Sequence, residues 1–172
     1  MPTQEDWLKY PHGKIPIGEW CDSCGRFNSR YSTSNIIGIK ENEILLTLRS
    51  MEPEKDKWCL PGGYLNWNET IEEGAEREFL EETGHKVKNI KMFKVYSNPK
   101  RDKDSRQNIG FCLTCEVGKK IGKPDNEVKE MRWFDLDNLP EKIAFDHQQM
   151  INDYKNKLPN RSKLWNIKPK QE

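Results

Sequence analysis

Apolar residues along this chain fall into short runs separated by charged or turn-forming stretches, which predicts strands with few helices. Asn35-Ile36-Ile37-Gly38-Ile39 and Glu43-Ile44-Leu45-Leu46-Thr47-Leu48 read as two strands around a Lys40–Asn42 turn, hence a hairpin. Trp58-Cys59-Leu60 is a short apolar strand halted by Pro61-Gly62-Gly63. Val87 to Tyr96 and Asn108 to Val117 predict a further pair, joined by a polar stretch from Ser97 to Gln107, and Met131-Arg132-Trp133-Phe134 one more. Residues 144–157 predict a late helix that ends before Pro159. Residues 1–32 keep no period and hold several prolines and glycines, so they read as an extended lead-in.

One helix is predicted more firmly than the rest. Thr70 with Glu73 three residues later forms a capping box, and Gly84 is placed as a left-handed stop. With Ile71 set at 0° and a step of about 100° per residue, Ala75 and Phe79 make a narrow apolar stripe. Glu82 and Glu78 fall at about 20° and 340°, in or beside that stripe, with Glu81 at about 280°. Glu73 and Glu76 lie on the far side. The helix therefore carries two populations of glutamate, one facing water and one facing the packed side.

Carboxylates on a packing face are costly without a cation, and three at i, i+3 and i+4 repel one another. Arg77 alone does not balance three. A hard divalent cation such as Mg²⁺ or Mn²⁺ would. The alternative is a partly exposed helix edge with ordinary surface glutamates, and periodicity leaves both open.

Composition narrows the picture. The 172 residues suit one domain, and the formal net charge of +1 argues against a dedicated nucleic-acid partner. Charge is uneven, however: Gly63 to His85 holds seven glutamates against one arginine, while Lys155 to Glu172 holds six basic residues against one acid. The acidic centre suits a metal; the basic tail reads as a solvated end. No basic segment followed by an apolar run opens the chain, nothing approaches a membrane span, and five cysteines in no disulfide-like spacing point to a reducing, cytoplasmic setting.

Gly63, Glu69 and the run Arg77-Glu78-Phe79-Leu80-Glu81-Glu82-Thr83-Gly84 are spaced as in the signature box of the Nudix hydrolase family, which this 23-residue window resembles. The Trp58 to Gly63 approach is similar too. His85 departs from the aliphatic residue usual at the last position, which bears on packing after the helix. The resemblance covers roughly residues 33–157 and implies a Nudix domain with an α/β fold, an α/β/α sandwich around a mixed sheet. Residues 158–172 are left as the basic tail.

The resemblance implies divalent-metal-dependent hydrolysis, with Mg²⁺ or Mn²⁺, of a nucleoside diphosphate linked to another group. It implies Glu78 and Glu82 as main metal ligands, Glu81 as a third, and the Gly63 carbonyl as a further oxygen. Arg77 would orient the carboxylates and Glu69 would support the loop. The general base would be a box glutamate or one from a later loop, Glu127 or Glu130, with a plain surface role as the alternative for Glu127. Pro99, followed by Arg101-Asp102, and Ala144-Phe145-Asp146-His147 are similar to ADP-ribose pyrophosphatases. ADP-ribose or a related nucleotide sugar is then the expected substrate, with Arg101 and Arg106 on phosphate or ribose, although the same loop also reads as merely solvated. The alternatives are a non-catalytic nucleotide sensor, and a hydrolase of dinucleoside polyphosphates or nucleoside triphosphates.

Cys21-Asp22-Ser23-Cys24-Gly25 looks like half of a zinc ribbon. Structural zinc needs four ligands, which His12 or Cys59 would have to complete, so a degenerate knuckle without zinc is expected. Cys112 and Cys115 have the same spacing but sit on a predicted strand, whose alternation puts them on opposite faces. The expected partner is a small nucleotide, and Trp7 and Trp20 would serve a homodimer.

Overall fold

The computed structural model describes residues 19–22, 26–101 and 107–158. His12, Cys24, Arg106, Trp7 and the tail beyond Leu158 lie outside them, as does the side chain of Cys21. The lead-in carries a small hairpin, β1 (Trp20–Cys21) with β2 (Arg26–Phe27), where the sequence pattern predicted only extended chain. Two-residue strands are too short to show a period.

The body is a six-stranded mixed sheet. β3 (Ser32–Lys40) and β4 (Glu43–Arg49) form the predicted hairpin, but they pair only at its mouth, Ile39 with Ile44 and Lys40 with Glu43. Beyond that point β5 (Trp58–Cys59) takes over one side of β4, while β8 (Val128–Asp135) follows the other. β3 runs parallel to β7 (Ile109–Lys120), which pairs antiparallel with β6 (His85–Tyr96).

Each face of the sheet buries one cluster and carries one helix. Ile36, Leu45, Leu113 and Cys115 pack with Ala75 and Phe79 of α1 (Ile71–Thr83). Ile37, Ile44, Leu46 and Cys112 pack with Met150 and Ile151 of α2 (His147–Lys157). Neighbouring residues of one strand thus enter opposite cores, as a period of two requires. Cys112 and Cys115 duly lie on different faces, both buried and free. Among the described residues no helix is long and apolar enough to cross a membrane.

The box helix forms as its caps predict. Thr70 and Glu73 make both bonds of the capping box, and Gly84 closes the helix at φ 70° with its amide on the Leu80 carbonyl. The late helix starts at His147 rather than at residue 144. Ala144 is instead tied to the sheet edge, its N–H donating to the Trp58 carbonyl at 2.8 Å, and Phe145 adopts a positive φ of 54°. Tertiary pairing overrides helical preference there.

Candidate active site

The segment after β5 organises the site. Residues 60–65 run along the first half of β3: Ile36 N–H donates to the Pro61 carbonyl at 2.8 Å and Ser34 N–H to the Gly63 carbonyl at 2.9 Å. This lays Pro61-Gly62-Gly63 across the α1 glutamates. Gly62 N–H donates to Glu82 Oε2 at 3.2 Å. A Cβ on Gly63 would stand 2.5 Å from Glu78 Oε1, so only glycine lets that carboxylate lie against the loop.

The three box glutamates differ in environment. Glu82 is 6% exposed, and no cation pairs with it among the described residues. Its carboxyl is pushed up to about 8, chiefly by burial and further by Glu78, Asp125 and Glu127, although the Gly62 N–H opposes the shift. Glu78 is also raised, first by burial, despite the Arg77 guanidinium at 2.7 Å. Glu81 is largely exposed and turned onto Arg77 at 3.0 Å.

Arg77 gathers the loop and the helix together. It bonds Glu69 through Nε and Nη2 at 2.9 and 2.6 Å, and also reaches the Tyr64 carbonyl at 3.1 Å. Glu69 in turn accepts the Asn66 N–H at 2.6 Å. The arginine therefore bonds carboxylates of the loop and helix together with loop backbone.

In front of Glu82 lies a cavity of about 310 Å³. Its wall contains Glu127, exposed and held by a loop in which Ser50 N–H donates to the Glu127 carbonyl at 2.9 Å. Glu130 stands elsewhere, on β8 and paired with Arg132. The rest of the lining is basic, aromatic and polar, with Arg49, Arg101, Tyr64, Asn108, Phe145 and His147. The Arg49 guanidinium sits 5.0 Å from the Phe145 ring centre and donates to the Pro53 carbonyl.

Arg101 lines this wall with its donors committed to protein: Nε and Nη2 grip Asp146 at 2.8 and 2.7 Å, and Nη1 reaches the Asn108 carbonyl at 3.1 Å. Pro99 is exposed and off the cavity wall, in the turn where Arg101 N–H meets the Asn98 carbonyl. Arg49, Tyr64, Asn108 and His147 were not singled out as site residues from the sequence. A cation closing an apolar strand was the available signal for Arg49; the others are brought in by chain pairing alone.

Among the described residues no three acidic, histidine or cysteine side chains stand as a ready-made metal cage, since Arg77 holds both Glu78 and Glu81. The chemistry nonetheless fits a hard cation. Every donor is oxygen, Glu82 is a buried carboxylate without a counter-charge, and Gly63 keeps Glu78 close beside it.

The chain matches the NUDIX domain over residues 30–154 and belongs to the Nudix hydrolase family. It is 43% identical over 116 residues to the ADP-ribose pyrophosphatase of Methanocaldococcus jannaschii, covering 67% of each chain. It is 29% identical over 126 residues to the NAD-capped RNA hydrolase NudC of Chromobacterium violaceum, covering 72% of this chain but 46% of that one. The chain thus spans less than half the length of that second relative. A crystal structure of a NUDIX hydrolase from Nitrosomonas europaea superposes with a TM-score of 0.68 at 28% identity, covering 84% of this chain and 87% of that one. The class is therefore pyrophosphohydrolase, acting on phosphoanhydride bonds. Nudix hydrolases depend in general on divalent metal.

Proposed function

We propose that this enzyme hydrolyses the diphosphate of ADP-ribose or a closely related nucleotide sugar, giving AMP and a sugar phosphate, with Mg²⁺ or Mn²⁺ bound at α1. The observation that carries the reading is Glu82: a buried carboxylate, its pKa raised and paired with no cation among the described residues, on a cavity whose remaining lining is basic and aromatic. The name of the M. jannaschii relative supports the substrate class.

Glu82 and Glu78 would hold the cation, with Glu81 from the rim and the Gly63 carbonyl, which has a second lone pair beyond the Ser34 bond. Such a cation, when bound, neutralises diphosphate charge and makes water more acidic. Gly62 N–H fixes the orientation of Glu82, and Arg77 holds Glu78 until it is needed. Glu127 on the wall would accept the proton of the attacking water. Arg49 brings positive charge for phosphate, while Tyr64 and Phe145 offer ring faces to a base or sugar.

The test is a substrate panel with Mg²⁺ and with Mn²⁺, using ADP-ribose, a dinucleoside polyphosphate and a nucleoside triphosphate. Metal-dependent release of AMP from ADP-ribose, abolished by chelator, is expected. Much faster cleavage of either other substrate would overturn the substrate assignment.

A further inference from the structure

The cavity wall has a second anchor on the same backbone edge that holds Glu82. The carbonyls of Pro61 and Gly63 face β3, so the amides of Leu60 and Gly62 face the other way. Each of these amides ends on a side chain: Gly62 on Glu82, and Leu60 on Nδ1 of His147 at 3.0 Å. Same-side groups two residues apart on an extended segment are ~7 Å apart. One stretch of backbone therefore sets His147 a short step from the carboxylate along the same wall.

The bond also decides which nitrogen carries the proton. An Nδ1 that accepts from an amide has its lone pair occupied, so the neutral ring bears its hydrogen on Nε2. The ring is 5% exposed, and burial pushes its pKa down to about 4, which keeps it neutral. Nε2 has no hydrogen-bond partner among the described residues, and His147 lines the cavity. Asn35, 6% exposed on the same wall, likewise has an Nδ2 without a partner among the described residues. A buried polar group left unpaired is costly, as Asn35 Nδ2 is, and His147 Nε2 is an accessible donor without a partner on the same cavity lining, so this lining is built to meet a polar ligand.

We propose that His147 is a substrate-binding residue whose Nε2–H donates a hydrogen bond to a substrate oxygen, on the phosphate or sugar beside the scissile diphosphate. The proposal rests on the diphosphate reading above. It makes the imidazole a donor only, because Leu60 occupies the nitrogen that could otherwise accept a proton.

Two variants separate the roles of the two nitrogens. In His147→Asn the amide oxygen stands where Nδ1 stood and keeps the Leu60 bond, but the Nε2 donor is lost. In His147→Gln the amide nitrogen reaches the place of Nε2 and keeps the donor. His147→Asn raises KM about tenfold with kcat within about threefold, and His147→Gln stays closer to wild type. A KM in His147→Asn within about twofold of wild type overturns the proposal. Equal losses in both variants also overturn it, because they mark a purely structural ring.

A measurement on the wild-type chain stands even if a variant does not fold. Nitrogen NMR of the labelled imidazole reports Nε2–H, whose resonance moves on adding metal-free pyrophosphate or ribose 5-phosphate. Movement with pyrophosphate identifies a phosphate oxygen; movement with ribose 5-phosphate but not with pyrophosphate or inorganic phosphate identifies a sugar oxygen. An unmoved resonance at saturation in an enzyme that hydrolyses ADP-ribose sinks this inference alone. A moved resonance in a protein that hydrolyses no diphosphate sinks the functional reading alone.

Discussion

Arg77 and Arg101 are both engaged with carboxylates around this site, yet they are built in opposite ways. Arg77 is 26% exposed in its side chain and bonds Tyr64, Glu69, Glu78 and Glu81, within one loop and one helix. Arg101 is 7% exposed and grips Asp146, 45 residues away, at the start of the late helix. The first network is local and divides one cation among several anions, which leaves Glu82 over for another charge. The second is long-range and nearly neutral, and it locks a wall. The proposed metal end of the cavity thus keeps a carboxylate without a paired cation among the described residues, whereas the Arg101 end is held by a closed ion pair.

That contrast can be broken most sharply at Glu82. Glu82→Gln should lower metal-dependent turnover by about 100-fold or more, because the proposed direct ligand is lost where even supporting residues cost 10- to 100-fold. The metal-free variant should fold as well as wild type, or melt higher, since the amide need not ionise. Turnover and thermal melting of the same preparations check both halves. Near-wild-type turnover would remove Glu82 from the metal end.

At the other end stability is the leading readout. Arg101→Met leaves Asp146 buried without its partner, which costs about 3 kcal/mol and lowers Tm by roughly 6–12 °C. Pairing it with Asp146→Leu should recover much of the loss, because no charge is then stranded. A single variant that melts normally but binds substrate poorly would make Arg101 a ligand contact instead of a wall bolt.

The smallest effect sharpens the comparison by pH. Burial lifts Glu82 from 4.5 to about 8, so its favourable contribution is complete below pH 4.5 and is lost as pH rises towards 8. Burial lowers His147 from 6.5 to about 4, so its contribution is present above pH 6.5 and is lost as pH falls. Between pH 6.5 and 8 Glu82 acts without His147. Metal-free wild type should lose up to about 2 kcal/mol across that window. Glu78, also raised by burial, adds in the same direction. Thermal melts from pH 6.5 to 8 should show a fall that Glu82→Gln largely removes, and an unchanged slope in the variant would assign it elsewhere.

The metal end was legible in the sequence because it is helical and short-range. A 3.6-residue period with a capping box and a glycine stop sets which side chains share a face, so Glu82 could be turned inward and Glu73 outward before any packing was known. The alternation of Cys112 and Cys115 was legible for the same reason. Periodicity did not show that Arg77 would bond both Glu78 and Glu81. Side-chain torsions answer to neighbours, and those neighbours include a loop.

What the sequence by itself determined is the box helix, the succession of strands along the chain, and a group of glutamates turned towards the packed side of that helix. Tertiary structure alone decided the rest of the cavity lining. Arg49, Arg101, Asn108 and His147 come from separate strands, turns and a helix start, and no local period relates them. Leu60 donating to His147 across 87 residues, and Ala144 held on the Trp58 carbonyl, are long-range bonds that also moved the late helix three residues from its expected start. Burial and pairing at such distances depend on how the chain closes, and that is information a local pattern does not contain.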